Sequence, residues 1–181
     1  ESSETFDVNT PEVAVEIQAE ELQDDDDDEQ EDMVLWEIFS SEAKSHLATI
    51  EEFVVQMEDE APIYSPPSND LQRALHTLKG SAKMAQVTNI AKMAEPLENF
   101  AKELVTYQVP LNDDILQLIR DAAEYTHLGL ASIERGGSVE IPKLDQFIAR
   151  TAELRELAVG HLIRLKELDP HSQNQVDPRL L

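Results

Sequence analysis

The stretch LQRALHTLKGSA, residues 71–82, decides the fold class of this chain. Its apolar side chains recur every three or four positions, the period of an amphipathic α-helix: Leu71, Leu75, Leu78, Ala82 and, just beyond it, Ala85. His76, Lys79 and Lys83 fall on a different face, at positions i, i+3 and i+7. Gly80 lies one turn beyond the histidine, although glycine in a helix interior costs about 1 kcal/mol relative to alanine. One physical reason to keep it is a bare backbone that a partner can approach closely.

An exposed histidine beside ammonium groups is suited to carrying a phosphoryl group between proteins. Imidazole is a nucleophile when one ring nitrogen is free and the other is held by a hydrogen bond. Positive charge must lie nearby, because negative charge spreads over the phosphoryl oxygens; Lys79 can supply it, with Lys83 at longer range. The acceptor for the imidazole N–H should come from the next helix, where Glu95 and Glu98 are the candidates. The alternative is that His76 belongs to an ordinary solvated polar face.

The same 3.6-residue period recurs in the rest of the chain, and no segment shows the alternation of a strand. The sequence therefore predicts an all-α protein. The expected helices begin at Met33, Ser68 or Asn69, Val87 or Thr88, Asn112 and Pro142. Short connections between them favour an up-down helical bundle. Inside the third helix, Pro96 predicts a kink or a local break.

The first and fifth helices have the longest apolar faces. In the first helix the expected core positions are Leu35, Ile38, Phe39, Ala43, Leu47, Ile50, Phe53, Val54 and Met57. In the fifth they are Leu144, Phe147, Ile148, Leu154, Leu157, Ala158, Leu162 and Leu165. On the same side of the fifth helix, His161 is expected to pack against apolar neighbours.

The net charge of −24 is concentrated at the N-terminus, where residues 1–32 hold 15 acidic residues and no lysine or arginine. Self-repulsion and a shortage of apolar surface predict a disordered acidic linker over residues 1–32. The helical bundle is expected over residues 33–168, followed by a polar tail over residues 169–181.

Composition also limits the classes of function. The chain has no cysteine, which excludes disulfides and cysteine-ligated zinc and suits a reducing, cytoplasmic setting. It shows neither a membrane-length apolar run nor a secretory leader, and it lacks the basic stripe of a nucleic-acid binder. No nucleotide-binding motif is present, so we expect no cofactor and no independent use of ATP. Since the chain begins with Glu1, we expect it to be a piece of a longer protein.

A metal-binding helical bundle is a further possibility. Glu124 and His127 form one Glu-x-x-His pair, but di-iron bundles need this motif twice, with further glutamates. We therefore expect no metal site.

Three stretches resemble the histidine phosphotransfer (HPt) domains of chemotaxis-type, CheA-like histidine kinases. They are residues 71–82, the opening-helix stretch IFSSEA at residues 38–43, and the third-helix stretch AEPLE at residues 94–98. The resemblance covers roughly residues 33–135. It implies a four-helix bundle of HPt type with an additional C-terminal helix.

The resemblance also implies roles for individual residues. His76 would be phosphorylated, Lys79 would stabilise the phosphoryl group, and Gly80 would admit the partner. Glu98 would accept the Nδ1–H of the imidazole and leave Nε2 to attack. Glu95 stands where chemotaxis kinases have a second histidine. Glu95, Lys83 and Ser81 would lie around these residues and support them. Gln86 replaces a glycine common in that region of the family.

The expected partners are a receiver domain, whose aspartate takes the phosphoryl group, and a histidine kinase catalytic domain of the same or a neighbouring chain. The resemblance suggests a parent hybrid kinase that controls flagellar or type IV pilus motility. A second hypothesis is a non-catalytic docking module, a degenerate HPt fold that binds response regulators without transfer. An intact set of His76, Lys79 and Gly80 favours transfer, because docking alone has no chemical need for it.

Overall fold

In the computed structural model, residues 14–169 are described, with side chains from residue 28 onward. This part of the chain is helical and contains no strand. The elements are α1 (Ala14–Glu60), α2 (Asn69–Met84), α3 (Thr88–Thr106), α4 (Asp113–Glu134), α5 (Leu144–Arg155), a π-helical turn (Glu156–Gly160) and α6 (His161–Leu168). Within the same residues, no helix is long and apolar enough to cross a bilayer.

Two side chains cap helices at the predicted positions. Ser68 precedes α2, and its hydroxyl accepts a hydrogen bond from the backbone N–H of Asp70. Asn112 precedes α4, and its Oδ1 accepts from the N–H of Ile115 at 2.8 Å. Each cap satisfies a backbone donor that the first turn of a helix leaves without an internal partner.

The first four helices surround a shared core. α1 packs against α2 and α4, α2 packs against α3, and α3 also contacts α4 and α5. Three polar side-chain contacts run along the α1–α4 interface, and the residue numbers rise in one helix as they fall in the other: Lys44–Glu134, Glu51–His127 and Glu58–Arg120. α1 and α4 are therefore antiparallel.

The core contains the predicted apolar face of α2, together with apolar residues of α1, α3 and α4. In α3, residues on both sides of Pro96 are buried in this one core, among them Ala94 and Leu97. The helix continues through the proline, so the alternative of a local break was wrong. Burial on both sides of Pro96 offsets the loss of one backbone hydrogen bond.

α1 differs from its prediction at the N-terminal end. The helix begins at Ala14 and includes the acidic run, where a disordered linker was expected for residues 1–32; residues 1–13 lie outside the described part. Alanine, glutamate, glutamine and leucine on either side of this run have high helix propensity, whereas the five aspartates of the run itself are poor helix formers. The exposed fractions are 38% for Leu35 and 53% for Ile38, so these two are not core residues, and the buried face of α1 begins at Phe39.

The predicted fifth helix is also corrected, because the π-helical turn divides it into α5 and α6. A π-turn shifts the residues that follow it around the helix axis. Val159 is consequently buried, whereas Leu157 and Leu165 are exposed. His161 is exposed as well, and the expectation that it packs against apolar neighbours was wrong.

Gln86 occupies a backbone conformation that favours glycine. α2 ends in a Schellman arrangement, in which the N–H of Val87 donates to the carbonyl of Ala82 and the N–H of Gln86 donates to that of Lys83. The φ angle of Gln86 is 60°, in the left-handed region. This geometry explains why a glycine suits the position.

We therefore expect Gln86→Gly to raise the free energy of unfolding by about 0.5–1 kcal/mol, because the left-handed conformation costs a side chain about 1–2 kcal/mol. Thermal unfolding followed by circular dichroism measures the change. Gln56→Gly, at an exposed position inside α1, is the matched control and should lower stability. A loss of stability in Gln86→Gly would contradict the strain argument.

Candidate functional site

The site is formed where α2 crosses the surface of α3. Leu75 and Leu78 are fully buried, so the helix turns His76, which lies between them, toward solvent. Its side chain is 65% exposed. From α3, Glu98 reaches the same place with a side chain that is only 7% exposed. An accessible imidazole therefore lies against a nearly buried carboxylate.

Three donors converge on Glu98. Nδ1 of His76 lies 2.8 Å from Oε1, and the Lys79 ammonium donates to Oε2. The side-chain amide of Gln72 also donates to Oε1, at 3.3 Å. The expected Glu98 contact with His76 is present, whereas Gln72 was missed. Its position one turn before His76 on the same face was the available signal.

The pKa of Glu98 is set by opposing effects. Burial raises it, but the hydrogen bonds from Lys79 and His76, with their charges, outweigh burial and hold the pKa below its usual value of 4.5. Glu98 is therefore ionised at neutral pH and can only accept hydrogen bonds. A neutral His76 must then donate through Nδ1, which leaves the lone pair on the exposed Nε2.

Lys79 is less accessible than expected. Its side chain is 18% exposed, and its ammonium is bonded to Glu98 rather than standing free beside the imidazole. In the resting protein this ammonium neutralises the carboxylate that orients His76. Removing Lys79 should therefore cost more stability than removing an exposed lysine.

The other polar candidates lie around this centre. Glu95 pairs with Lys83 at 3.4 Å, and within the described part of the chain no contact joins it to His76. Of the two candidate carboxylates, only Glu98 therefore holds the ring. The hydroxyl of Ser81 donates to Glu42 of α1 at 2.7 Å and ties α2 to the first helix.

Gly80 opens directly onto solvent. A Cβ placed at this position would meet no heavy atom within 4 Å. Internal packing therefore does not require glycine here. Close approach of a partner to the backbone remains a reason for the glycine.

A second exposed histidine lies on the α1–α4 side. The ring of His127 contacts the carboxylate of Glu51 across the α1–α4 interface. Among residues 28–169, no group of three or more carboxylates and histidines is placed to hold a metal ion.

On the expectation that His76 is the phosphorylated residue, Glu98→Gln should slow its phosphorylation about tenfold or more, because the amide no longer selects the Nδ1–H tautomer by charge. It should also lower the free energy of unfolding by about 1–3 kcal/mol, because the largely buried Lys79 ammonium loses its counter-charge. Chemical denaturation and phosphorylation kinetics measure the two effects.

The stability difference between the parent and Glu98→Gln should depend on pH. A carboxyl whose pKa is lowered by folding contributes stability above its unfolded pKa, near 4.5, and loses that contribution as pH falls through the folded value. The difference should thus be largest near neutral pH and should shrink below pH 4.5. A difference that does not change with pH would contradict an ionised Glu98.

The sequence of this chain is similar to a known domain family and to a known protein. The family model described as "Hpt domain" matches residues 34–127. The chemotaxis protein CheA of Bacillus subtilis (strain 168) is 29% identical over 101 residues, which cover 56% of this chain. The match spans only 15% of the length of that relative.

A solved structure has a similar fold. It is the phosphorylated P1 domain of CheA3 in complex with CheY6 from R. sphaeroides, with a TM-score of 0.59 and 14% sequence identity. The match covers 70% of this chain and 98% of the other. At this identity, the likeness is one of fold.

Proposed function

Since the chain belongs to the Hpt domain family and is a histidine phosphotransfer domain, we propose that His76 is the residue that carries its phosphoryl group. The observation that carries the proposal is the accessible ring held through Nδ1 by the ionised Glu98, with Nε2 directed away from that contact. We further propose residues 33–168 as the functional unit, with up-down topology supported by the antiparallel α1–α4 contact.

In the proposed reaction, the Nε2 lone pair attacks phosphorus, and the bond from phosphorus to the donor oxygen breaks. That oxygen belongs to ADP when the donor is ATP in a kinase domain, or to an aspartate when the donor is a phosphorylated receiver. The ring gains positive charge and keeps its Nδ1 proton, which Glu98 stabilises. In the return step a receiver aspartate attacks phosphorus, the N–P bond breaks, and neutral His76 is restored.

Lys79 has a supporting part in this proposal. Its ammonium lies one turn from His76 and already contacts the orienting carboxylate. A swing of the flexible lysine side chain toward a phosphoryl oxygen would place positive charge where negative charge develops. The proposal thus gives Lys79 two positions, one on Glu98 at rest and one on the phosphoryl group during transfer.

A receiver domain is the proposed partner on this face. The CheA3 domain of similar fold was solved with CheY6, which supports that class of partner. On α1, Glu42 is bonded to Ser81 beside Gly80, and the half-exposed Ile38 lies one turn before Glu42. Ile38 thus adds an exposed apolar side chain on α1, one turn from the Glu42–Ser81 contact, that a receiver could contact.

For the donor we propose the catalytic domain of a histidine kinase, in the same chain or a neighbouring one. Similarity to CheA supports a chemotaxis-type parent acting in the cytoplasm. We extend this, on the sequence resemblance, to a hybrid kinase of a type IV pilus chemosensory system.

The test is transfer from a receiver domain carrying labelled phosphate on its aspartate, or from a kinase domain with labelled ATP. The proposed function predicts acid-labile label on His76 that returns to an unlabelled receiver. Tight receiver binding without label on the chain would instead support a docking module.

A further inference from the structure

A surface ion pair repeats the geometry of the site one turn farther along the two helices. The ammonium of Lys83 lies 3.4 Å from Oε1 of Glu95, and both side chains are about half-exposed. Lys83 follows Lys79 by one turn of α2, and Glu95 precedes Glu98 by one turn of α3. Two lysine–glutamate bridges therefore connect α2 to α3 beside the imidazole.

The lysines of these two bridges add no net positive charge near the imidazole, because each is paired with a glutamate. Each nearby ammonium is matched by one carboxylate, whereas a phosphoryl group brings between one and two negative charges. His76 and Lys83 are seven residues apart, about 10 Å along the helix axis. This spacing exceeds the Debye length of about 8 Å at physiological ionic strength but lies well within the length of about 30 Å at 0.01 M, so the charge of Lys83 acts at the ring at low ionic strength.

We infer that Glu95 restrains the reactivity of His76 by holding Lys83 in a neutral pair. The inference rests on the proposed role of His76 as the phosphoacceptor. Removal of the Glu95 carboxylate leaves one uncompensated positive charge beside the site, and removal of the Lys83 ammonium leaves one negative charge. Both changes break the same bond, but their electrostatic effects on an incoming anion are opposite.

Phosphoramidate, a small anionic phosphoryl donor, tests this without a partner protein. Nε2 of His76 forms a bond to phosphorus, the P–N bond of the donor breaks, and ammonia leaves with that electron pair. At low ionic strength we expect Glu95→Gln to raise the second-order rate constant about two- to fivefold and Lys83→Gln to lower it by a similar factor. The double variant should return close to the parent rate, and the differences should shrink at high salt.

Glu124→Gln is the matched control, because it removes one exposed carboxylate from α4, which does not pack against α2. Its rate should equal that of the parent. If the two single variants shift the rate in the same direction, or leave it unchanged while His76 is labelled, the inference is overturned and the proposed function stands. If the parent takes no label on His76, the proposed function fails and the inference fails with it.

Discussion

Replacing His76 by glutamine is expected to reduce phosphoryl labelling of the protein by at least about a thousandfold. Glutamine has a similar polar reach but no ring nitrogen with a basic lone pair, so it cannot form the N–P bond. Because the side chain of His76 is 65% exposed, the substitution should change the free energy of unfolding by less than about 0.5 kcal/mol. Labelling from a kinase domain with ATP, together with thermal unfolding, measures both effects.

The matched control is His127→Gln. His127 is also an exposed helical histidine in contact with a carboxylate, that of Glu51, but it lies on the α1–α4 side. This variant should take up label at the parent rate. Parent-like labelling of His76→Gln would show that the phosphoryl group is carried elsewhere, and loss of labelling in His127→Gln would move the site to the other face.

The second large effect is expected at Gly80. Gly80→Phe should lower the rate of transfer from a phosphorylated receiver about a hundredfold, because the bulky ring would occupy the space through which the partner approaches His76. Misplacement of reacting groups by about 1 Å can already cost this much. The fold should survive, since a Cβ at this position meets no other heavy atom within 4 Å.

Two further measurements separate steric blocking from damage to the site. Labelling of Gly80→Phe by phosphoramidate should remain within about threefold of the parent, because a small donor needs less room. Gly80→Ala should be more stable than the parent by about 0.5–1 kcal/mol, since alanine favours the helix. Equal loss of labelling from both donors would mean that the ring disturbs His76 itself, and the docking argument would then be wrong.

Much of this fold follows from the periodicity of its apolar residues. The face of α2 was predictable because this helix packs against α1 and α3. The same reasoning failed for Leu35 and Ile38, whose side chains face solvent although Trp36 and Phe39 beside them contact the core. It failed again beyond Arg155, because a π-turn changes the register without a distinctive sequence mark.

For the site, residue types and spacing predicted which side chains would be present but not every contact. From the sequence alone, Glu95 and Glu98 were equally good candidates for the acceptor. Only the register of α3 against α2 shows that Glu98 contacts His76. The same register brings Lys79 onto Glu98 and Lys83 onto Glu95. Periodicity within one helix carries no information about such contacts between helices, which depend on axial offset and rotamer.

The central claim is that Glu98 holds Nδ1 of His76 and leaves Nε2 to accept phosphorus. Nuclear magnetic resonance of the phosphorylated, ¹⁵N-histidine-labelled protein tests it most directly, through the coupling between phosphorus and a ring nitrogen. The account predicts coupling to Nε2 of His76, with a proton retained on Nδ1. Coupling to Nδ1, or to the ring of any other histidine, would contradict it.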